Sequence, residues 1–176
     1  EIIATRRGEW RLIGALEDLP PFEDDQLLFL NIEPDSIFDP QLRDAAFLSQ
    51  MKDAGLAPDR LVLEVTEHAA VRDFASLQRV LEEIRAMGFR LAMDDVGSGY
   101  AGLQSIAEIR PDFLKIDMSL VRDLHLNPIK RELIATIRRF SESTGVAIVA
   151  EFPKCNLDIA RQVIESLRIE HVRHVE

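Results

Sequence analysis

The chain alternates short, nearly continuous apolar runs with longer segments in which apolar residues recur at helical spacing. Continuous apolar runs are typical of parallel strands buried on both faces, whereas half-exposed strands alternate apolar and polar residues. The runs predict five strands, at Leu27–Ile32, Leu61–Val65, Phe89–Asp94, Asp112–Ile116 and Val146–Ala150. Two weaker strands are predicted at Ile2–Thr5 and Glu170–Val175.

Helices are predicted in the intervals between strands, at Pro40–Ala54, Phe74–Met87, Ile129–Thr144 and Leu157–Leu167. The first three stop at a glycine, the residue that most readily ends a helix. The second helix carries an apolar stripe at helical spacing, made by Leu77, Val80, Leu81 and Ile84. Strand, helix and strand in repetition imply right-handed parallel crossovers. The fold class is therefore α/β in a single domain over residues 1–176, either a doubly wound sheet or a TIM-like (β/α) barrel.

Charge and cysteine content narrow the class of function. The 176 residues carry 31 acidic and 21 basic side chains, a formal net charge of −10. Binding to a DNA or RNA polymer depends on Lys and Arg, so this balance argues against it. The single cysteine, Cys155, is consistent with a reducing compartment, and no apolar run is long enough to span a membrane. We expect a cytoplasmic location without membrane contact from this segment, whether alone or within a larger signalling protein.

Polar residues end each of the five predicted strands. These strand-end residues are Asn31, Glu64, the pair Asp94-Asp95, Lys115 and Glu151. In an α/β barrel the carboxyl ends of the strands converge on one face, so the side chains are expected at a common rim. A single polar strand end is usually only a solvated terminus, but five together favour a site.

Four carboxylates at one rim would repel one another unless cations balance them. Asn and carboxylate oxygens are hard ligands that suit Mg²⁺, Mn²⁺ or Ca²⁺. The adjacent pair Asp94-Asp95 could flank two metals about 3.5–4 Å apart, as in-line attack on phosphorus requires.

Other motifs have simpler interpretations. The segment at residues 97–102 (GSGYAG) matches a dinucleotide-binding turn, but Asp94-Asp95 just before it would repel a pyrophosphate. We interpret these glycines as letting a catalytic loop turn tightly. His171 and His174 fall on opposite faces of a predicted strand, which argues against a metal pair. Cys155 has no neighbouring base, and the Arg138-Arg139 pair is interpreted as a solvated helix face.

Several segments resemble the EAL family of cyclic di-GMP phosphodiesterases. They read LFLN (28–31), LVLEVTE (61–67), LAMDDVGSGYAGL (91–103), PDFLKID (111–117) and VAIVAE (146–151). The Asp-Asp block followed by the Lys-Ile-Asp strand is the specific signature. The similarity is strongest over residues 27–151 and implies an incomplete or modified TIM-like barrel of the EAL type.

The resemblance implies a two-metal site that uses Mg²⁺ or Mn²⁺. Asn31, Glu64 and Asp94 would bind one metal, and Asp94, Asp95 and Glu151 the second. Lys115 would orient the attacking water and balance phosphate charge, so that Lys115, Asp95 and Glu151 are the catalytic candidates. Glu67 would support the loop that contains Gly97, Ser98, Gly99 and Tyr100. The implied reaction is hydrolysis of cyclic di-GMP to the linear dinucleotide, by a homodimer.

The sequence departs from the family pattern at both ends. Glu1 is a candidate remnant of the family's E-A-L-x-R strand, although it precedes LFLN by too few residues. Lys154 stands where the family has a second glutamate, and the final Gln-Gly is missing, with His171–His174 in that region. These differences keep a second hypothesis open, namely a degenerate EAL domain acting as a cyclic di-GMP receptor or a protein-interaction module.

Overall fold

A computed structural model describes residues 2–3, 26–53, 55–66, 74–97 and 103–150. Within them six parallel strands form one sheet in the order β1-β2-β3-β4-β5-β6. The strands are β1 (Ile2–Ile3), β2 (Leu28–Ile32), β3 (Leu61–Val65), β4 (Arg90–Val96), β5 (Phe113–Ile116) and β6 (Ala147–Ala150). All five main strand predictions are confirmed to within a residue or two. The weaker strand at Glu170–Val175 lies outside the described residues.

The helices are α1 (Ala45–Asp53), α2 (Phe74–Ala86), α3 (Leu103–Ile109), α4 (Met118–Val121) and α5 (Pro128–Thr144). Short 3-10 helices cover Ser36–Phe38, Pro40–Arg43 and Pro58–Arg60. The predictions for α2 and α5 are confirmed, and the helix predicted at Leu157–Leu167 lies outside the described residues. The sequence did not predict the one-turn helix α4, which lies directly after β5.

The continuous helix predicted at Pro40–Ala54 is wrong. Asp44 is extended (φ −87°, ψ 163°) and separates the 3-10 helix from α1. Its side-chain Oδ1 accepts a hydrogen bond from the Phe47 N–H at 2.7 Å. Aspartate is a strong N-cap because it satisfies an amide that the first helical turn leaves unpaired. The local cap therefore starts a new helix in a segment whose periodicity looked unbroken.

The sequential strand order separates the two architectures that the sequence left open. A doubly wound sheet reverses its strand order at a switch point, whereas a barrel adds each new strand beside the previous one. Every described strand pairs in parallel with its neighbour in sequence. The barrel-type winding is therefore the one present, and the doubly wound alternative is wrong.

One face of the sheet packs against the helices and forms the apolar core. The predicted stripe of α2 is buried there, with Leu77 and Leu81 each 1% exposed. Side chains of alternate strand positions complete the core, namely Leu30, Ile32, Leu61, Leu63, Val65, Leu91, Met93, Leu114 and Ile116. Because a strand points successive side chains to opposite faces, the intervening residues point away from the helices.

The opposite face of the sheet is concave. Phe29 on β2 and Phe113 on β5 lie three strand spacings apart, about 14 Å in a flat sheet. Their ring centroids are nevertheless only 5.3 Å apart, in an edge-on arrangement. The sheet therefore curls toward this face, as a barrel wall does. Asn31 and Lys115, two residues after these rings, lie on the same face nearer the carboxyl ends of the strands.

The surface of the described residues shows two further features. No helix in this part of the chain is both long and apolar enough to cross a membrane. Three large apolar side chains, Leu126, Ile129 and Leu133, are exposed around the start of α5.

Candidate active site

Three charged side chains from three adjacent strands meet at the carboxyl end of the concave face. Lys115 Nζ lies 2.9 Å from Glu64 Oε1 and 3.0 Å from Asp94 Oδ1. The side chains of Lys115, Glu64 and Asp94 are 13%, 7% and 12% exposed. The predicted convergence of strand-end charges is therefore present for these three residues.

The ammonium group is held in its charged form. Burial by itself would lower the pKa of Lys115, but the charges of Glu64 and Asp94, and the hydrogen bonds to them, outweigh it. The pKa of Lys115 is consequently well above its usual value of 10.5. Lys115 thus presents a fixed positive charge at neutral pH and is poorly suited to serve as a proton acceptor.

A β-bulge explains how Asp94 and Asp95 occupy one strand end. Met93 pairs with Leu114 and Val96 with Ile116, so β4 has two residues where β5 has one. Asp95 takes the extra position with φ +61°, is exposed, and donates its N–H to Asp94 Oδ1 at 3.0 Å. The extra residue shifts the alternation of side chains by one position, so Val96 returns to the core face and is 5% exposed. Without the bulge, Val96 would share the face of Asp94.

Aspartate is one of the few non-glycine residues that tolerates the left-handed conformation, which explains its place in the bulge. The sequence identified Asp95 as a site residue, but it gave no signal that the strand continues through it. The predicted strand ended at Asp94, whereas β4 continues to Val96.

Asn31 lies beside the charged group. It pairs in register with Glu64 across β2 and β3, which places both residues at the same level of the concave face. Asn31, Glu64 and Asp94 thus supply amide and carboxylate oxygens from three consecutive strands, a donor set that fits a hard divalent cation. Among the residues the structure describes, however, no group of three or more His, Cys, Asp or Glu side chains could hold a metal. A metal would therefore need Asn31, water or ligands from elsewhere in the chain.

Several predicted site residues lie outside the described part of the chain. They are the candidate remnant Glu1, the loop residues Glu67, Ser98, Gly99 and Tyr100, and the carboxylate Glu151. The same holds for Lys154, Cys155, His171 and His174. Their proposed roles stay predictions. Glu151 directly follows Ala150, the last residue of β6, which pairs with Ile116 at the end of β5.

Gly97 is the member of the predicted loop that the structure describes. It follows the bulge with φ +104°, and a Cβ built there would overlap the Leu120 side chain of α4. The glycine is thus needed for a close approach as well as for its left-handed conformation. The sequence predicted the tight turn but not the contact with α4.

Asp117 has a structural role that the sequence did not show. Its Oδ1 accepts the Ser119 N–H at 2.8 Å and caps α4. This hydrogen bonding to Ser119 lowers the pKa of Asp117. Asp117 thus has a local structural role at the start of α4.

A singly wound parallel sheet, curled around a face whose carboxyl end carries acidic residues and a lysine, defines an α/β barrel protein with a polar site at the strand ends. Residues 4–152 match the family described as EAL domain. The chain belongs to the EAL domain family.

Individual relatives and structures agree with this assignment. A cyclic di-GMP phosphodiesterase PdeA of Borreliella burgdorferi is 31% identical over 140 residues, covering 77% of this chain and 20% of that protein. The structure of Klebsiella pneumoniae BlrP1 in a manganese and cyclic di-GMP complex at pH 9.0 matches with a TM-score of 0.77. It is 30% identical, and the match covers 92% of this chain and 39% of that one.

A third similar structure is the YkuI protein of Bacillus subtilis, with an EAL domain, in complex with substrate cyclic di-GMP and calcium. It has a TM-score of 0.73 at 25% identity and covers 91% of this chain and 38% of that one. The chain spans about one fifth of the length of the curated relatives it matches.

Proposed function

We propose that this chain is a metal-dependent phosphodiesterase domain that hydrolyses one phosphodiester bond of cyclic di-GMP to give the linear dinucleotide. The observation that carries the proposal is the convergence of Glu64, Asp94 and Lys115 at one buried rim. Family membership and the names of the relatives support the substrate.

The roles proposed for the individual residues are those that the family resemblance implies. Asn31, Glu64 and Asp94 would hold one divalent cation, and Asp95, with Asp94 and Glu151, a second. Bound Mg²⁺ or Mn²⁺ would supply an activated water and neutralise charge on the phosphate. Lys115, protonated at neutral pH, would orient the attacking water and balance the negative charge that develops on the phosphoryl oxygens.

Lys115 also balances the negative charges of Glu64 and Asp94. Glu64 and Asp94 are buried, and buried carboxylates are costly unless a cation is close to both. Lys115 provides that cation in the structure, at hydrogen-bonding distance from each oxygen. We infer that the lysine keeps the acidic rim folded, so that carboxylate oxygens are already in place for a divalent cation.

A product assay tests the proposal. The protein would be stripped of metal with a chelator, supplied with Mn²⁺ or Mg²⁺ and cyclic di-GMP, and the linear dinucleotide quantified by chromatography. Asp94→Asn should abolish turnover, because it removes a carboxylate assigned to both metals. Asp53→Asn, an exposed aspartate at the end of α1, is the matched control and should retain wild-type turnover. Equal loss in both variants would contradict the assigned site.

A specific observation also favours the second candidate function, a degenerate domain that binds cyclic di-GMP without cleaving it or that binds another protein. Lys115 already balances the two buried carboxylates and would compete with a divalent cation for their oxygens. Calorimetry separates the possibilities. A receptor gives saturable binding of cyclic di-GMP without product, whereas a protein-interaction module gives neither.

Assembly and location rest on the sequence alone. We propose a homodimer by the family resemblance, which light scattering on the purified protein would test against a monomer. A cytoplasmic location stays a prediction from the single cysteine.

A further inference from the structure

Lys130 occupies a position that its own helix does not explain. It lies in the first turn of α5, where Asn127 caps the helix by accepting the N–H groups of Ile129 and Lys130. The amino end of a helix carries partial positive charge, so a cation there is unfavourable for α5 itself. The side chain of Lys130 instead extends to another helix.

The partner of Lys130 is the carboxyl end of α4. Lys130 Nζ donates to the carbonyl oxygens of Ser119 and Arg122, each at 2.7 Å. The last carbonyl groups of a helix have no partners within it and attract cations. A helix of one turn such as α4 has little stability of its own, because nucleation costs more than a single turn returns. Lys130 therefore fastens α4 to the start of α5.

The other side of α4 touches the end of β4. The Asp117 N–H donates to the Val96 carbonyl at 3.0 Å, and Ser119 Oγ donates to the Gly97 carbonyl at 3.5 Å. Leu120, 8% exposed, fills the space beside Gly97 where a Cβ would stand. These contacts hold the residues that directly follow the Asp94-Asp95 bulge.

The two sets of contacts form one connected support. We propose that Lys130 is a positioning residue, which by clamping α4 against Val96 and Gly97 fixes the bulge that presents Asp94 and Asp95. It also steadies the end of β5, because α4 begins two residues after Ile116, the last residue of that strand. The kinetic part of this inference rests on the proposed phosphodiesterase function, whereas the structural part does not.

The experiment compares Lys130→Met, which removes the donor, with Lys130→Arg, which keeps a cationic donor. Lys52→Met, at an exposed lysine in the last turn of α1, is the matched control. Amide hydrogen exchange is measured on peptides covering residues 93–97 and 115–122. Exchange in both segments of Lys130→Met should accelerate by about tenfold or more, since the clamp limits local opening. Lys130→Arg and Lys52→Met should stay near the wild-type rate.

Steady-state kinetics with cyclic di-GMP and Mn²⁺ gives the second readout. Lys130→Met should lower kcat by roughly ten- to a hundredfold with little change in KM, because the reacting groups are displaced rather than the substrate lost. Lys130→Arg should restore most of kcat. Exchange that accelerates equally throughout the chain would reflect a general loss of stability and would overturn the positioning role.

The outcomes separate this inference from the proposed function. Unchanged exchange at residues 93–97 in Lys130→Met overturns the inference, whether or not the wild-type protein turns over. In an active protein, equal kcat for Lys130→Met and Lys52→Met overturns it as well. If the wild-type protein yields no product, the proposed function fails, and accelerated exchange at residues 93–97 in Lys130→Met alone still supports the clamp.

Discussion

Replacing Lys115 by methionine keeps an unbranched side chain, shorter by one heavy atom, but removes its charge. Glu64 and Asp94 would then stay buried without the cation that lies 2.9 and 3.0 Å from them. Removing one partner from a buried ion pair typically costs 3–5 kcal/mol, since the remaining charge is uncompensated. In a domain of this size each kcal/mol lowers Tm by about 2–4 °C, so we expect a decrease of roughly 6–20 °C at neutral pH.

The pH dependence of the destabilisation identifies its cause. In the wild-type protein the raised pKa of Lys115 contributes stability that is fully present below its ordinary value of 10.5 and is lost only above it. In Lys115→Met the two carboxylates are buried without a cation, and the free-energy cost of that burial disappears when a carboxyl group is neutral. The variant should therefore recover stability as the pH falls from 7 toward 4, and the difference in Tm from the wild type should shrink.

Divalent metal gives the second diagnostic. A cation bound by Glu64 and Asp94 would replace the lost positive charge, so Mn²⁺ should raise the Tm of Lys115→Met more than that of the wild type. Differential scanning calorimetry with and without Mn²⁺ at pH 5 and 7 measures both effects, with Lys52→Met as control. If Lys115→Met melted within a degree of the Lys52→Met control at pH 7, Lys115 would not be what holds the acidic rim together.

Three further changes test the surrounding structure. Gly97→Ala should lower the free energy of unfolding by about 1–3 kcal/mol, because φ is +104° and the new Cβ overlaps Leu120. Urea denaturation should show a smaller loss in a Leu120→Ala background, and an equal loss would contradict the contact. Asp117→Ala should lower the free energy of unfolding by about 1 kcal/mol, because it removes the cap of α4. Since the pKa of Asp117 is lowered in the folded protein, this loss should be full above about pH 4 and vanish in stronger acid, and a pH-independent loss would argue against the cap. Asp44→Ala should destabilise the protein by a similar amount, because the cap on α1 is lost. Urea denaturation compares it with Asp53→Ala, and equal unfolding midpoints for the two variants would contradict the cap.

Much of the fold was predictable because its strands are continuous apolar runs. Burial of β3 at all five positions is what its sequence LVLEV indicates, with Glu64 as the polar exception. Strand ends were also predictable as places for chemistry, since parallel strands deliver their last residues to one edge. The meeting of Glu64, Asp94 and Lys115 follows from that topology.

The features that the sequence did not reveal depend on single side-chain contacts or on the backbone conformation of one residue. The break at Asp44 comes from a local cap that competes with apolar periodicity. The bulge at Asp95 depends on a left-handed backbone conformation, which the pattern of apolar and polar residues does not predict. The hydrogen bonds of Lys130 join two consecutive helices, α4 and α5. Helical periodicity alone does not distinguish a solvated lysine side chain from one that is hydrogen-bonded to a neighbouring helix.

We propose that the carboxyl ends of the strands form a site that cleaves cyclic di-GMP only with a divalent cation. The most direct measurement is the rate of linear dinucleotide formation by metal-stripped wild-type protein as Mn²⁺ is titrated back. We expect no product without metal and a rate of product formation that rises to saturation with Mn²⁺. Turnover that is indifferent to metal, or bound cyclic di-GMP that stays intact at saturating Mn²⁺, would contradict it.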